Sequence, residues 1–475
     1  MGQIIAALDL GTSKSIAFVV QKDYFNKLSV LQTETIPSKD AIRRGRVYNS
    51  DETSDIISKF IRKLNNNPAL QIEKIYVGVG GQSLHTQLLS IKREVESGTI
   101  SRQLLDSIDE EANGYKPEFE ENLGVISCEY YADEQLVSNP KGTVASNIEA
   151  RFQLVVGNPC LKLNLEKVFR EKKISVAGYF VSPLATAEAV LTPEEKESGC
   201  VLVEWGEGVT YISVYKNKTL KYLATLPLGG LAITKDIRSL NVSEEEAETL
   251  KIKYGSAIAD SDDSEEISVN EEQSSSRKIE LRNLNWIIEA RVDEIVKNIW
   301  SQIQISGYSQ SLDAGIVITG GGALLRDLPQ YIRNQTGKEV RLAHAKVWIN
   351  QVETQLSPAD SCVVGLTILG KENCAKESKS QVQSPSLFGK DEVEKQGKKP
   401  EKKQEKPDKI PVSHDRVTLK DRLKGFIGKG VEMVDKGTNL FKDEDFENDT
   451  TQPADKNVTD SQNKDENSAN HTNRQ

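Results

Sequence analysis

The sequence predicts a mixed α/β protein with more than one hydrophobic core. Strand-like apolar runs alternate with amphipathic helical patterns up to about Gly370. Three of these strands lead directly into glycine-rich turns, which begin at Gly11, Gly206 and Gly320. The chain has 475 residues, and domains usually contain roughly 100–200. We therefore expect at least two folded domains before Gly370.

The first glycine turn follows the apolar strand Ile4–Leu10. Successive backbone N–H groups in such a turn form a concavity that suits phosphate oxygens, and nearby hydroxyl and ammonium groups add donors and charge. Asp9, at the end of the strand, can hold Mg²⁺ through its water shell. The turn is not a P-loop, and a D-x-G-T alone leaves an ordinary hairpin as the alternative. Its residues are Gly11, Thr12, Ser13 and Lys14.

Two further strands repeat this arrangement. The strand Val201–Trp205 carries Glu204 near its end and enters a turn that contains Gly206, Glu207, Gly208, Val209 and Thr210. The strand Gly315–Thr319 enters a turn of three glycines, Gly320, Gly321 and Gly322, which have no side chain to block a flat ligand such as adenine. Between them, Glu248 and Lys251 are three residues apart on a predicted helix. They could bond ribose hydroxyls together, or form an ordinary solvated pair.

The composition argues against several classes of function. The net charge of −10 argues against a nucleic-acid binder. The five cysteines are scattered with no C-x-x-C pair, which fits a reducing compartment and indicates neither a zinc site nor a disulfide framework. No apolar run approaches ~20 residues, so we expect no membrane span, and the first residues lack the features of a signal peptide.

The character of the chain changes after Gly370. Residues 371–415 are rich in Lys, Glu, Gln, Ser and Pro, and they predict a disordered tether. Residues 416–442 predict a basic amphipathic helix that suits an anionic membrane surface, although docking on the chain's own body or in a partner's groove is an alternative. Residues 443–475 are acidic and polar and predict a disordered tail. The membrane-facing residues would be Leu419, Leu423, Phe426, Ile427, Val431 and Val434, with the basic residues Lys420, Lys424 and Lys429.

The three turns resemble those of the actin, sugar-kinase and heat-shock-chaperone superfamily of ATPases in their order, in their spacing and in their position after strands. Within it the chain is similar to the FtsA family of bacterial cell-division proteins. The resemblance covers about residues 1–370 and recurs at 416–442. It also rests on the stretches 77–85, 139–142, 227–237, 287–295 and 358–366.

The resemblance implies a bilobed actin-like ATPase fold with an FtsA-type 1C insertion subdomain, followed by the tether and the amphipathic helix. The first lobe would comprise residues 1–82 and 161–195, with a closing helix in 351–370. The 1C subdomain would comprise 83–160 and the second lobe 196–350.

The resemblance also implies ATP and Mg²⁺ in the cleft between the lobes. Asp9 takes the role of holding Mg²⁺ through water. Residues 11–14 become the first phosphate hairpin and 204–210 the second, while Glu248 and Lys251 contact the ribose and the glycines 320–322 contact the adenine. The second hairpin of the family usually reads D-x-G-G-G-T-T, and Glu207 replaces a glycine near the phosphates. We therefore expect at most a slow ATPase, and no catalytic residue is identified.

The family's function implies an ATP-binding protein that polymerises at the cytoplasmic face of the bacterial inner membrane, at the division site, as a peripheral protein. Its partners would be FtsZ, further copies of itself, other cell-division proteins and anionic lipids, with the FtsZ contact in the lobe that contains Arg291. The alternative is a small-molecule, sugar-type kinase of the same superfamily, which has no use for a tethered basic helix. A chaperone ATPase would need a folded substrate domain after Gly370, and a rod-shape actin homologue would usually lack the insertion between Gly81 and Cys160.

Overall fold

The structure is a computed structural model that describes residues 2–376, apart from 39, 68–69, 263 and 270–276. By contacts the chain divides into the units Met1–Met433 and Val434–Gln475, and only the first contains described residues. The predicted tether beyond residue 376, the predicted helix 416–442 and the predicted tail 443–475 lie outside them.

The strands are β1 Gln3–Leu10, β2 Lys14–Lys22, β3 Leu28–Pro37, β4 Ile42–Arg43, β5 Arg46–Val47, β6 Lys74–Val79, β7 His85–Glu94, β8 Glu121–Ala132, β9 Gln135–Val137, β10 Asn147–Gly157, β11 Ser175–Val181, β12 Cys200–Trp205, β13 Thr210–Lys216, β14 Thr219–Leu226, β15 Glu266–Val269, β16 Arg277–Glu280, β17 Ile316–Thr319, β18 Val340–Leu342, β19 Lys346–Ile349 and β20 Val352–Gln355. The helices are α1 Ser50–Leu64, α2 Arg102–Gly114, α3 Cys160–Glu171, α4 Ser182–Val190, α5 Pro193–Ser198, α6 Gly230–Ile237, α7 Glu244–Tyr254, α8 Leu281–Ile305, α9 Leu328–Thr336 and α10 Ser361–Leu369.

Two sheets contain the same five-strand arrangement. The first has the order β11-β6-β1-β2-β3-β19-β20, and the second has the order β14-β13-β12-β17-β18. In each, an antiparallel hairpin (β1–β2 or β12–β13) pairs with a third antiparallel strand on one side and with a parallel strand on the other. The two predicted phosphate hairpins therefore occupy equivalent positions in two similar sheets. One hydrophobic core packs on the first sheet and reaches Leu202 and Val317 of the second, and another contains Val201 and Val203 of the second sheet.

A third, smaller core belongs to the segment between β6 and α3. Its sheet has the order β7-β10-β8-β9 and carries α2, whose buried residues Ile108 and Ala112 pack against the sheet. Buried and half-buried residues alternate along β10, and the buried side of this sheet covers the small core. This unit falls within the range 83–160 for which the sequence predicts the 1C subdomain. The fold is thus the bilobed actin-like α/β fold with an inserted subdomain.

Sequence signals explain how the main helices begin and pack. At the start of α1 the Asn49 side chain accepts hydrogen bonds from the backbone N–H groups of Asp51 and Glu52. Helix α7 begins with a capping box between Ser243 and Glu246. The 25-residue helix α8 buries residues at three- and four-residue steps against the second core: Leu284, Ile288, Val292, Ile295, Ile299 and Ile303.

Two boundaries differ from the sequence prediction. Strand β19, predicted in the second lobe, pairs with β3 in the first sheet. Residues 371–376, predicted to begin the disordered tether, pack against the first lobe: the Cys374 side chain is fully buried, and its N–H donates to the Ile4 carbonyl at 2.7 Å. The prediction relied on the polar composition of the whole segment. It missed that one small apolar side chain and a row of backbone hydrogen bonds can hold a short end segment.

Candidate functional site

A cavity of about 550 Å³ lies between the two sheets, and all three glycine turns line it. The first hairpin contributes from one side, the second from the other, and α7 completes the wall. Of the predicted nucleotide contacts, the residues that line the cavity are Asp9, Gly11, Thr12, Ser13, Lys14, Glu204, Gly206, Gly208, Glu248, Lys251, Gly320, Gly321 and Gly322. The structure therefore brings together elements that are more than 300 residues apart in sequence.

Each hairpin needs a glycine at the same position. A Cβ on Gly11 would stand 2.6 Å from the Lys14 carbonyl oxygen, and one on Gly206 would stand 2.8 Å from the Val209 carbonyl oxygen. The backbone of each turn is closed so tightly that no side chain fits there. Helix α6 begins against the second turn, because the Gly230 N–H donates to the Gly206 carbonyl at 3.0 Å.

The two hairpins touch at their tips. A Cβ on Gly208 would stand 2.7 Å from Thr12 Oγ1 and 3.2 Å from Arg44 Cα. Thr12 Oγ1 in turn accepts a hydrogen bond from the Gly45 N–H at 3.2 Å. The two hairpins therefore approach each other closely at this point because residue 208 has no side chain.

The triple-glycine turn lies over Trp205, which is fully buried. Gly320 has a φ of 91°, and a Cβ there would stand 2.5 Å from the Trp205 carbonyl oxygen. A Cβ on Gly322 would stand 2.3 Å from Trp205 Cδ1, whereas one on Gly321 would meet nothing closer than 3.8 Å. Leu324 and Ile252, which are 53% and 72% exposed, add apolar surface to the same end of the cavity. This end can accept a flat apolar ring.

Two carboxyl groups at strand ends face the cavity from opposite sheets. Burial raises the pKa of Asp9, although a hydrogen bond with the Cys362 thiol lowers it. Burial and the nearby Asp9 carboxylate raise the pKa of Glu204 to about 8. Glu204 Oε2 is buried and has no hydrogen-bond partner among the described residues. Two close acidic groups, one of them with an unpartnered oxygen, form a suitable site for a hydrated divalent cation.

Glu207 is a third acidic group in the wall, and its Oε2 is also buried without a partner among the described residues. Burial raises the pKa of this carboxyl, and the Glu248 carboxylate raises it further. Lys251 and a hydrogen bond from the Ser13 side chain lower it. The side chain that departs from the family pattern therefore lies in the cavity wall, where it interacts with Ser13 of the first hairpin.

Glu248 and Lys251 are linked to each other and to α6. Lys251 Nζ donates to Glu248 Oε2 at 2.7 Å, to Thr234 Oγ1 at 2.8 Å and to the Gly230 carbonyl at 3.0 Å. The Lys251 side chain is only 12% exposed, whereas that of Glu248 is 40% exposed. Glu248 is thus the more accessible of the two to a ribose hydroxyl.

Two predicted contacts lie elsewhere. Thr210 does not line the cavity, because its side chain is fully buried and donates to the Leu228 carbonyl at 2.8 Å. Arg291, predicted to contact FtsZ, lies on α8 and forms ion pairs with Asp236 on α6 and with Glu294. Its guanidinium therefore helps to hold α8 against α6, and a contact with FtsZ stays a prediction.

The sequence reasoning did not assign several residues of the cavity wall. Tyr211 lies behind the second hairpin, where its hydroxyl accepts from the Gly81 N–H at 2.7 Å. A Cβ on Gly78 would stand 2.7 Å from Ser182 Oγ and 3.4 Å from Asp9 Oδ1. The V-G-V-G-G run at residues 77–81 was the available signal, because repeated glycines within a strand mark close backbone approach.

The duplicated sheets, the inserted subdomain and the paired glycine hairpins around one cleft define the class as an actin-like ATPase fold. A solved structure, the PilM–PilN type IV pilus biogenesis complex, contains a similar chain with a TM-score of 0.55 and 15% sequence identity, covering 77% of this chain and 97% of that one. This likeness concerns the fold.

Sequence comparison identifies the family. The family profile described as "Cell division protein FtsA" matches residues 201–365. The cell division protein FtsA of Porphyromonas gingivalis is 30% identical over 360 residues, covering 74% of each chain. That of Neisseria meningitidis is 27% identical, covering 76% of this chain and 89% of the relative, and that of Bacillus subtilis is 28% identical, covering 72% and 78%. The chain belongs to the FtsA family of cell-division proteins. No helix among the described residues is both long and apolar enough to cross a membrane.

Proposed function

We propose that this protein binds Mg·ATP in the cleft, polymerises at the cytoplasmic face of the bacterial inner membrane, and there anchors FtsZ filaments and helps to recruit the division machinery. The observation that carries the nucleotide part is the meeting of the two glycine hairpins across one cavity, with Asp9 and Glu204 at its base. Membership of the FtsA family supports the role in division.

The residues of the cleft fit Mg·ATP. The hairpins 11–14 and 206–208 would hold the phosphates, Asp9 would hold Mg²⁺ through water, and Glu248 would bond the ribose. The adenine would lie at the triple-glycine end, between Ile252 and Leu324. The unpartnered oxygen of Glu204 supports a cation nearby, because a buried acceptor without a donor is costly. Isothermal titration of Mg·ATP into the full chain tests this part, and absence of binding would refute it.

The membrane part rests on the sequence of residues 416–442. Burying a large apolar side chain contributes on the order of 1.5–3 kcal/mol if complete, and each basic residue near an anionic surface contributes about 1 kcal/mol. One helix should therefore bind reversibly, and polymerisation should strengthen attachment because many copies bind together. Cosedimentation of the full chain with phosphatidylglycerol vesicles tests this, with neutral phosphatidylcholine vesicles as the comparison.

The FtsZ part is tested by adding purified FtsZ filaments to such vesicles. FtsZ should pellet with anionic vesicles only when the full chain is present. If FtsZ stays in the supernatant although the full chain and the vesicles pellet together, the proposed anchoring is wrong.

A further inference from the structure

Glu207 is a charged side chain in the proposed phosphate site that no step of the proposed function uses. It lies at the tip of the second hairpin and lines the cavity, with Oε2 buried and unpartnered among the described residues. Its backbone is held in place, because its carbonyl accepts from the Leu231 N–H at 3.0 Å as α6 begins. The side chain therefore belongs to the cavity wall and extends from an anchored backbone.

The charged groups around the Glu207 carboxyl do not compensate its negative charge. Helix α7 presents two carboxylates towards it, Glu248 and Glu244, and one ammonium, Lys251. Lys251 already donates to Glu248, to Thr234 and to the Gly230 carbonyl. The first hairpin contributes the Ser13 hydroxyl as a hydrogen-bond donor and places Lys14 where its charge acts on Asp360. Burial, together with the carboxylates of Glu248 and Glu244, therefore disfavours the ionised form of Glu207 against the opposing effects of Lys251 and Ser13.

We propose that Glu207 receives the nucleotide phosphates as a neutral carboxylic acid, so that nucleotide binding takes up a proton from solvent. This inference rests on the proposed Mg·ATP site. A carboxylate can only accept hydrogen bonds, whereas the protonated acid has one O–H that can donate to a phosphate oxygen. The proton remains on the carboxyl, and no bond of the nucleotide is broken. Burial already raises the pKa of Glu207 in the free protein, which makes the protonation easier.

Nucleotide binding and protonation of Glu207 should each favour the other. The phosphates raise the pKa of Glu207 beyond its value in the free protein, so the bound state holds more proton than the free state. Affinity is therefore highest at low pH and falls as pH rises between the two pKa values. For a single group the fall is at most about tenfold per pH unit.

The experiment is calorimetric titration of Mg·ATP into the full chain, in buffers of different ionisation enthalpy and over a range from about pH 6 to about pH 8. The variants are Glu207→Gln, a neutral isostere, and Glu207→Gly, which adopts the family residue. Glu118→Gln removes one charge from an exposed position outside the cavity and is the matched control. Because every variant receives the same nucleotide, the protonation of the nucleotide itself cancels in the comparison.

We expect the wild type and Glu118→Gln to take up more proton per nucleotide than either Glu207 variant, by as much as one. The affinities should converge at low pH, and the Glu207 variants should bind more tightly as pH rises. Equal proton uptake and equal pH slopes in all binding variants would overturn this inference and leave the proposed function standing. Weaker binding by both Glu207 variants at every pH would overturn it too, because Glu207 would then attract the ligand. If no variant binds Mg·ATP at any pH, the proposed function itself is wrong.

Discussion

Replacing Gly208 by alanine tests whether the contact between the two hairpins is needed for nucleotide binding. The added Cβ would stand 2.7 Å from Thr12 Oγ1 and 3.1 Å from Thr12 Cγ2. Ordinary van der Waals contact begins at 3.4 Å, so the hairpins must separate by about 0.7 Å or Thr12 must turn away. If Thr12 turns, the hydrogen bond from the Gly45 N–H to Thr12 Oγ1 is lost.

Overpacking of this kind typically costs about 1–3 kcal/mol. We assign this cost to the arrangement in which both hairpins line the cavity, because there Gly208 and Thr12 meet. At 1.4 kcal/mol for each tenfold change, Mg·ATP affinity should fall by about 5- to 150-fold. Neither Gly208 nor Thr12 belongs to the hydrophobic cores, so we expect the melting temperature without nucleotide to change little.

The assay is calorimetric titration of Mg·ATP, with thermal unfolding of each variant alongside. Gly114→Ala is the matched control, since Gly114 ends α2 on the surface and a Cβ there would meet nothing within 4 Å. Gly208→Ala that binds within about twofold of the wild type, a difference below about 0.5 kcal/mol, would show that the hairpin contact does not support binding.

Three further outcomes are expected. Relative to the wild type, Glu204→Gln should stabilise the fold more at about pH 8 than at about pH 5. The pKa of Glu204 is raised to about 8 in the folded protein, so above the ordinary carboxyl pKa the unfolded chain loses this proton while the fold retains it, and wild-type stability falls as pH rises towards about 8. Melting curves at both pH values check this, and an equal shift at both would contradict it. The double substitution of Phe426 and Ile427 by Glu should release the protein from anionic vesicles in cosedimentation and leave Mg·ATP binding intact. The matched control adds two Glu at Gly425 and Asn439, on the opposite face of the predicted helix; equal release by both pairs would mean that the apolar stripe is not the anchor. Mg·ATP turnover, followed by phosphate release, should be slow or absent, because the Glu207 side chain occupies the second phosphate hairpin where the family pattern has a glycine and so disturbs the electrostatic stabilisation of the transferring phosphoryl group. Several turnovers per second would refute this.

The glycine hairpins could be predicted because their signals are local. A buried strand, a carboxylate at its end, a glycine turn and a returning strand lie within about fifteen residues, and the pairing of β1 with β2 follows directly. The same logic predicts the pairing of β12 with β13. The conformation of such a hairpin is determined by residues within the hairpin itself.

The contacts that complete the cavity could not be predicted from local patterns. Thr210 shows the limit, because its alternation on β13 places it in the core, where it donates to Leu228. Tyr211, one residue later, faces the other side and reaches the Gly81 N–H. Which of two neighbouring residues faces a cavity depends on how two sheets pack, and this information is distributed over the whole chain.

The segment 371–376 relates the cleft to the rest of the chain. The Ile4 N–H donates to Asn373 Oδ1 at 3.1 Å, the Cys374 N–H donates to the Ile4 carbonyl, and the Glu73 N–H donates to the Cys374 carbonyl at 2.9 Å. Any pull exerted through the residues after 376 would therefore act first on Gln71 and Ile72, just before β6, and then on the start of β1. Strand β1 continues from Ile4 directly to Asp9 and the first hairpin. If the proposed membrane helix attaches the chain, load on that end and nucleotide binding in the cleft would both act on strand β1 and would therefore influence each other.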